Sequence, residues 1–158
     1  MCPDGAEGPA RLHYHGKAGG KMPTNHADVL RAVGQVLEGE GPGEVEILRQ
    51  GDGLFGWWRA PDRSRRHRGY TGPELERLRE EGRRWRGSPG RDPSEGLAEQ
   101  LRTIGQELDH AGADVVAIAQ DPEGFFIVGL AGNRAVSRYY LIGEILSLSR
   151  QRRELRAA

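Results

Sequence analysis

"LRAVGQVL" at residues 30–37 and "LRTIGQEL" at residues 101–108 are nearly the same phrase, 71 positions apart. Both read as amphipathic helix. Leu30, Val33 and Leu37 recur at helical spacing in the first, and Leu97, Leu101, Ile104 and Leu108 form one apolar stripe through the second. Gly34 and Gly105 fall inside these helices, where Gly costs about 1 kcal/mol relative to Ala. A costly residue kept twice in one place predicts a close backbone approach. Either the two helices cross one another there or each lies tightly on its own sheet; the bland alternative is inheritance without a role.

Working outward, the likeness stays in register. Gln50, Gly53 and Phe55 match Gln120, Gly124 and Phe126, and Arg68, Tyr70 and Glu74 match Arg138, Tyr140 and Glu144. The offset stays at 70 or 71, with Pro122 lengthening the second turn. The elements implied by each half agree. Asn25 caps the first helix, with Asp28 three residues on. "EVEILRQ" and "LFGWWRA" flank a Gly51-Asp52-Gly53 turn as a hairpin, and "RRHRGY" (65–70) reads as an edge-like third strand. Thr71 and Glu74 open a second helix carrying Leu75, Leu78 and Trp85. After "GSPG" (87–90), Ser94 is expected to cap the next helix. "ADVVAIAQ", "FFIVGLA" and "AVSRYY" follow as strands, and Leu141, Ile145 and Leu148 fall on a final helix.

The expected architecture is α+β: two tandem α-β-β-β-α repeats packed as one pseudo-twofold-symmetric globule. Its divisions are a disordered extension at 1–21, a first repeat at 22–87, a linker at 88–93 and a second repeat at 94–158. The run "GGKM" reads as a translated ribosome-binding sequence ahead of a true start at Met22. The α-β-β-β-α order resembles the double-stranded-RNA-binding fold. That family has a Lys-rich start to its second helix, whereas "TGPELERL" and "LIGEILSL" are acidic or apolar here, so neither the family nor its site residues carry over.

Composition narrows the function classes. The 158 residues are 36% apolar and 29% charged, with zero net charge. No apolar run approaches the roughly 18 residues of a membrane span, and the start lacks a signal-peptide core. One cysteine, Cys2, leaves no internal disulfide or thiolate cluster. A cytoplasmic protein without metal or cofactor is expected. Neutrality hides an alternation: residues 1–58 carry −3, 59–91 carry +6, 92–133 carry −7 and 134–158 carry +4. The cations are Arg throughout apart from Lys17 and Lys21, as expected of GC-rich codon usage.

The strands have diverged. "VVAIA" and "FFIVGLA" are apolar at consecutive positions, which predicts cover on both faces. "EVEILRQ" is polar at Glu44, Glu46, Arg49 and Gln50, and adjacent Trp57 and Trp58 must point to opposite faces.

The strongest candidate site is therefore in the first half, in "WWRAPDRSRRHRGY": Trp57, Trp58, Arg59, Arg63, Arg65, Arg66 and Arg68, with Arg83, Arg84 and Arg86 on the helix after it. Trp and Arg are the residues most enriched in protein-interface hot spots. The reading favoured is a non-enzymatic binding module, a protein-interaction or regulatory adaptor that contacts a protein partner or a second copy of itself. The alternative is single-stranded DNA or RNA, with Arg for phosphates and flat rings for bases. No enzyme motif emerges. His13 and His15 lack a third ligand and read as an incidental pair, His26 and His110 read as solvated or dipole-paired at helix ends, and His67 lies among arginines. The serines lack a nucleophile elbow. "GEGPG" follows a helix and precedes a strand, the reverse of a phosphate loop. Glu99, Glu107 and Asp109 read as a solvated helix face.

Overall fold

The computed structural model describes residues 25–84 and 96–157. The expected extension at 1–21, the Met22 start, His13, His15, Trp85, Arg86, the 88–93 linker and the Ser94 cap lie outside those residues. Among the described residues, four helices and one six-stranded antiparallel sheet make a mixed α+β fold. In chain order they are α1 (His26–Glu38), β1 (Gly43–Gln50), β2 (Gly53–Arg59), β3 (Arg65–Tyr70), α2 (Gly72–Arg84), α3 (Leu97–Ala111), β4 (Asp114–Gln120), β5 (Gly124–Ala131), β6 (Arg134–Leu141) and α4 (Ile142–Ala157). Each run of three strands is a meander, and the two meanders join at β1 and β4, giving the order β3-β2-β1-β4-β5-β6.

Local chemistry sets the boundaries. The Asn25 side chain accepts the N–H of Asp28 at 3.1 Å, and its amide donates to the Asp28 carboxylate at 2.9 Å. At the β4–β5 turn, the Asp121 carboxylate accepts the N–H groups of Glu123 and Gly124, at 2.7 and 2.9 Å. Alternation along the strands then sends Val45, Ile47, Leu54, Trp58, Tyr70, Phe125, Ile127 and Tyr140 to one side. There they form a single buried cluster with Leu30, Val33 and Leu37 of α1, Leu75 of α2, Leu101 and Ile104 of α3, and Ile145 of α4. Each such Leu or Ile contributes about 1.5–3 kcal/mol on leaving water.

The centre of the molecule is the antiparallel pair α1–α3. A Cβ on Gly34 would lie 2.6 Å from the Ala98 Cα, and one on Gly105 would lie 2.6 Å from the Ala27 Cα and N. Each glycine thus lets its helix approach the backbone at an alanine of the other, Gly34 at Ala98 and Gly105 at Ala27. Their ends also interlock. The Asp109 carboxylate, at the end of α3, accepts the N–H groups of His26 and Ala27 at the start of α1, at 2.9 and 3.1 Å. Glu38, at the end of α1, accepts the N–H of Ala98 at 2.8 Å. First-turn N–H groups have no partner within their own helix, so these carboxylates satisfy donors and oppose the positive helix ends. In the cap position of α3 stands Gly96, which supplies no side-chain hydrogen bond.

Four expectations are revised. Glu99 and Asp109 are not on a solvated face: Glu99 is buried and ion-paired with Arg31 at 3.0 Å, across the α1–α3 seam. His26 is buried rather than solvated, its Nδ1 at 2.8 Å from Asp109. Leu141 ends β6 instead of starting the last helix, and its side chain is exposed. The fourth revision concerns function. Cover on both faces was expected for β4 and β5, but the core cluster lies on one face only, and Leu48, Phe126 and Tyr139 on the other are exposed.

Candidate interaction surface

The face turned away from the helices is built by strand register. One row of facing residues runs Gly69, Phe55, Leu48, Ala117, Val128, Ser137 across all six strands. The next runs His67, Trp57, Glu46, Ala119, Phe126, Tyr139. The first row is apolar from Phe55 through Leu48 and Ala117 to Val128, and the second from Ala119 to Phe126, with Glu46 breaking it beside Trp57; together they form an apolar band across β2, β1, β4 and β5. Leu48 is 42% exposed and Phe126 45%, high values for large apolar side chains in the middle of a sheet.

The band has two ends of different character. At the β2–β3 end Phe55, Trp57 and His67 form a ring cluster, with centroids 5.0 to 5.5 Å apart. The Arg65 guanidinium lies 4.6 Å from the Trp57 ring centroid. Aromatic pairs and cation–π contacts of this kind hold rings in place on an exposed face. Glu44, Glu46, Arg59, Arg63 and Arg65 surround a shallow groove of about 200 Å³ beside them. At the β6 end, Tyr139 donates to Asp121 at 2.7 Å. That hydrogen bond pushes the phenol up to about 12 and holds the Asp121 carboxyl below its ordinary value.

The ten sequence candidates do not form one surface. Trp57, Arg59 and Arg65 share the open face by alternation, while Trp58 points into the core at 6% exposure. Arg66 and Arg68 project to the other side of edge strand β3, and Arg68 lies 5.0 Å over Tyr70. Arg63 sits in the β2–β3 loop with a φ of 66°. Arg83 and Arg84 end α2, on the helix side, where Arg83 meets Asp28 at 3.2 Å. Arg86 lies outside the described residues. The charge alternation also closes on itself. Arg59 pairs with Glu44 at 3.1 Å, Arg65 with Glu46 at 3.7 Å and Arg66 with Glu40 at 3.0 Å. The polar residues of β1 thus face the arginines of β2 and β3.

What sequence reasoning passed over is the second half of the band: Ala117, Ala119, Phe126, Val128 and Tyr139. For all but Tyr139 the signal is a strand apolar at consecutive positions, a pattern that fits double cover and an open apolar face equally. Among the described residues, no group of three His, Cys, Asp or Glu could hold a metal, and no helix is long and apolar enough to cross a membrane. No family model, curated protein or solved structure matches the chain.

Proposed function

We propose that the protein is a non-enzymatic binding module of the cytoplasm, a protein-interaction or regulatory adaptor, and that it engages a protein partner or a second copy of itself through the open face of its sheet. The carrying observation is the uncovered apolar band from Phe55 and Trp57 to Phe126 and Tyr139. Contiguous exposed apolar surface on a folded domain marks interaction sites, and aromatic residues flanked by Arg dominate their energetics. We also infer that the chain is a duplication of one α-β-β-β-α unit, packed with pseudo-twofold symmetry. The reciprocal approaches of Gly34 and Gly105, the exchanged caps of Glu38 and Asp109, and the antiparallel β1–β4 joint support this.

The test places a charge on the band without touching the core. Sedimentation and proximity labelling are compared for the wild type, Leu48→Glu and Phe126→Glu, with circular dichroism as the folding control. Self-association, or a defined set of neighbours, should appear with the wild type and be lost in both folded variants. Association that survives both substitutions places the contact elsewhere and overturns the reading.

A second reading, single-stranded nucleic acid, draws support from the ring cluster with Arg59 and Arg65 at its edge. It is weakened by the carboxylates of Glu44 and Glu46, which already neutralise those cations. It requires Trp quenching by single-stranded DNA or RNA that falls steeply with salt.

A further inference from the structure

Charge placement on the open face of the sheet selects its occupant. The row Gly69, Phe55, Leu48, Ala117, Val128, Ser137 holds no ionisable group on any of the six strands. The row on one side of it holds Glu46, Ala119, Phe126 and Tyr139, and the row on the other holds Gln50, Gly53, Leu130 and Ala135. Glu44, Arg59 and Arg65 stand one step further out, past Glu46 and Trp57. At the β6 end, Leu141 shares the face and is 49% exposed. An uncharged centre with a charged margin is the layout of a protein interface.

A twofold axis laid along the uncharged row makes each of its residues face its own copy. Any charge there would oppose itself, so an uncharged row is what a self-complementary contact requires. The flanking rows then exchange. Glu46 of one copy comes over Gln50 of the other, whose amide can donate to it, and Phe126 comes over Leu130. Arg59 and Glu44 fall at the rim, paired at 3.1 Å, and Glu46 keeps Arg65 beside it at 3.7 Å. Zero net charge adds no repulsion between copies.

Shape and area agree. A second sheet, packed about 10 Å away, covers a six-stranded face whole. A single helix, about 10–12 Å across, leaves most of that width open. With strands about 4.8 Å apart and about 3.3 Å per residue, the face measures roughly 600 Å² in each copy. Two copies together bury roughly twice that, the lower bound of specific stable contacts.

We propose that the occupant of the open face is a second copy of this chain, packed sheet on sheet about a twofold axis that crosses the strands through Leu48, Ala117 and Val128. This rests on the open-face reading and names its partner.

Sedimentation equilibrium of the purified full chain tests it, with circular dichroism as the folding control. The wild type should dimerise in the micromolar range. Leu48→Glu and Leu48→Lys should each weaken dimerisation by at least about tenfold, because residue 48 then faces its own charge. An equimolar mixture of the two should regain the dimer, because opposite charges then face one another. If a charge at position 48 unfolds the chain, the same exchange at Val128 gives the same readout. A wild type still monomeric at about 1 mM overturns the second copy as occupant. If the neighbours found by proximity labelling are nonetheless lost in Leu48→Glu and Phe126→Glu, the open-face reading stands with a different partner. A dimer undiminished in both Leu48 variants overturns the two together. Weakened variants that do not recover on mixing overturn the twofold axis through Leu48.

Discussion

Gly34 and Gly105 put two opposing effects in one residue. Intrinsic propensity favours Ala over Gly within a helix by about 1 kcal/mol. At these positions a methyl group would meet the backbone of the opposite helix at 2.6 Å, and backbone cannot rotate aside. Overpacking a tight contact costs about 1–3 kcal/mol, and the seam must part to relieve it. Gly34→Ala and Gly105→Ala should therefore each lower the urea midpoint, opposite to the propensity effect. A raised midpoint would mean that the helices do not approach as described. The glycines were legible because their cost is local. Glu99 and Asp109 were not, since a carboxylate on an amphipathic helix looks the same whether it meets water or a neighbouring helix.

The elements hold one another through their ends. The Asp109 carboxylate serves the start of α1, across the seam. Burial alone would raise its pKa. The hydrogen bonds from the His26 ring and from the N–H groups of His26 and Ala27 outweigh that and hold it below the ordinary 3.8. The folded-state value is thus lower than the unfolded one. Its stabilising contribution is complete above the unfolded value and is lost as pH falls through the folded one. At neutral pH, Asp109→Asn should be less stable than the wild type by about 1 kcal/mol, the usual size of a cap. Urea denaturation across acid pH should show the gap shrinking below pH 3.8. A gap constant down to pH 2 would sink the assignment of a charged cap. At this scale the strands and their turns were readable from alternation and Gly/Asp signals. Leu141 was not, because an apolar residue at a strand–helix junction fits both periodicities.

At the scale of the whole molecule, the core is one cluster drawn from all four helices and from strands of both meanders. Neither half alone covers its share: residues 25–84 would expose the α1 stripe and the β1 edge, and the remainder the matching α3 stripe and β4 edge. Fragments 1–90 and 91–158 should each be unfolded or self-associated when expressed separately, and should recover the native circular dichroism on mixing. A folded monomer from either fragment would show two independent domains instead. The sequence by itself determined the elements, their order, a close approach at Gly34 and Gly105, and the opposed faces of Trp57 and Trp58, because periodicity and turn chemistry act over a few residues; that the approach is between α1 and α3, and not between a helix and its own sheet, came from the tertiary structure. Only the tertiary structure decided that all four helices lie on one side of the sheet. From that follows the open apolar face, while strand register brings Arg59 and Arg65 beside Glu44 and Glu46. Which side a helix takes depends on how the two meanders join, and that joint at β1 and β4 leaves no mark in any short stretch of residues.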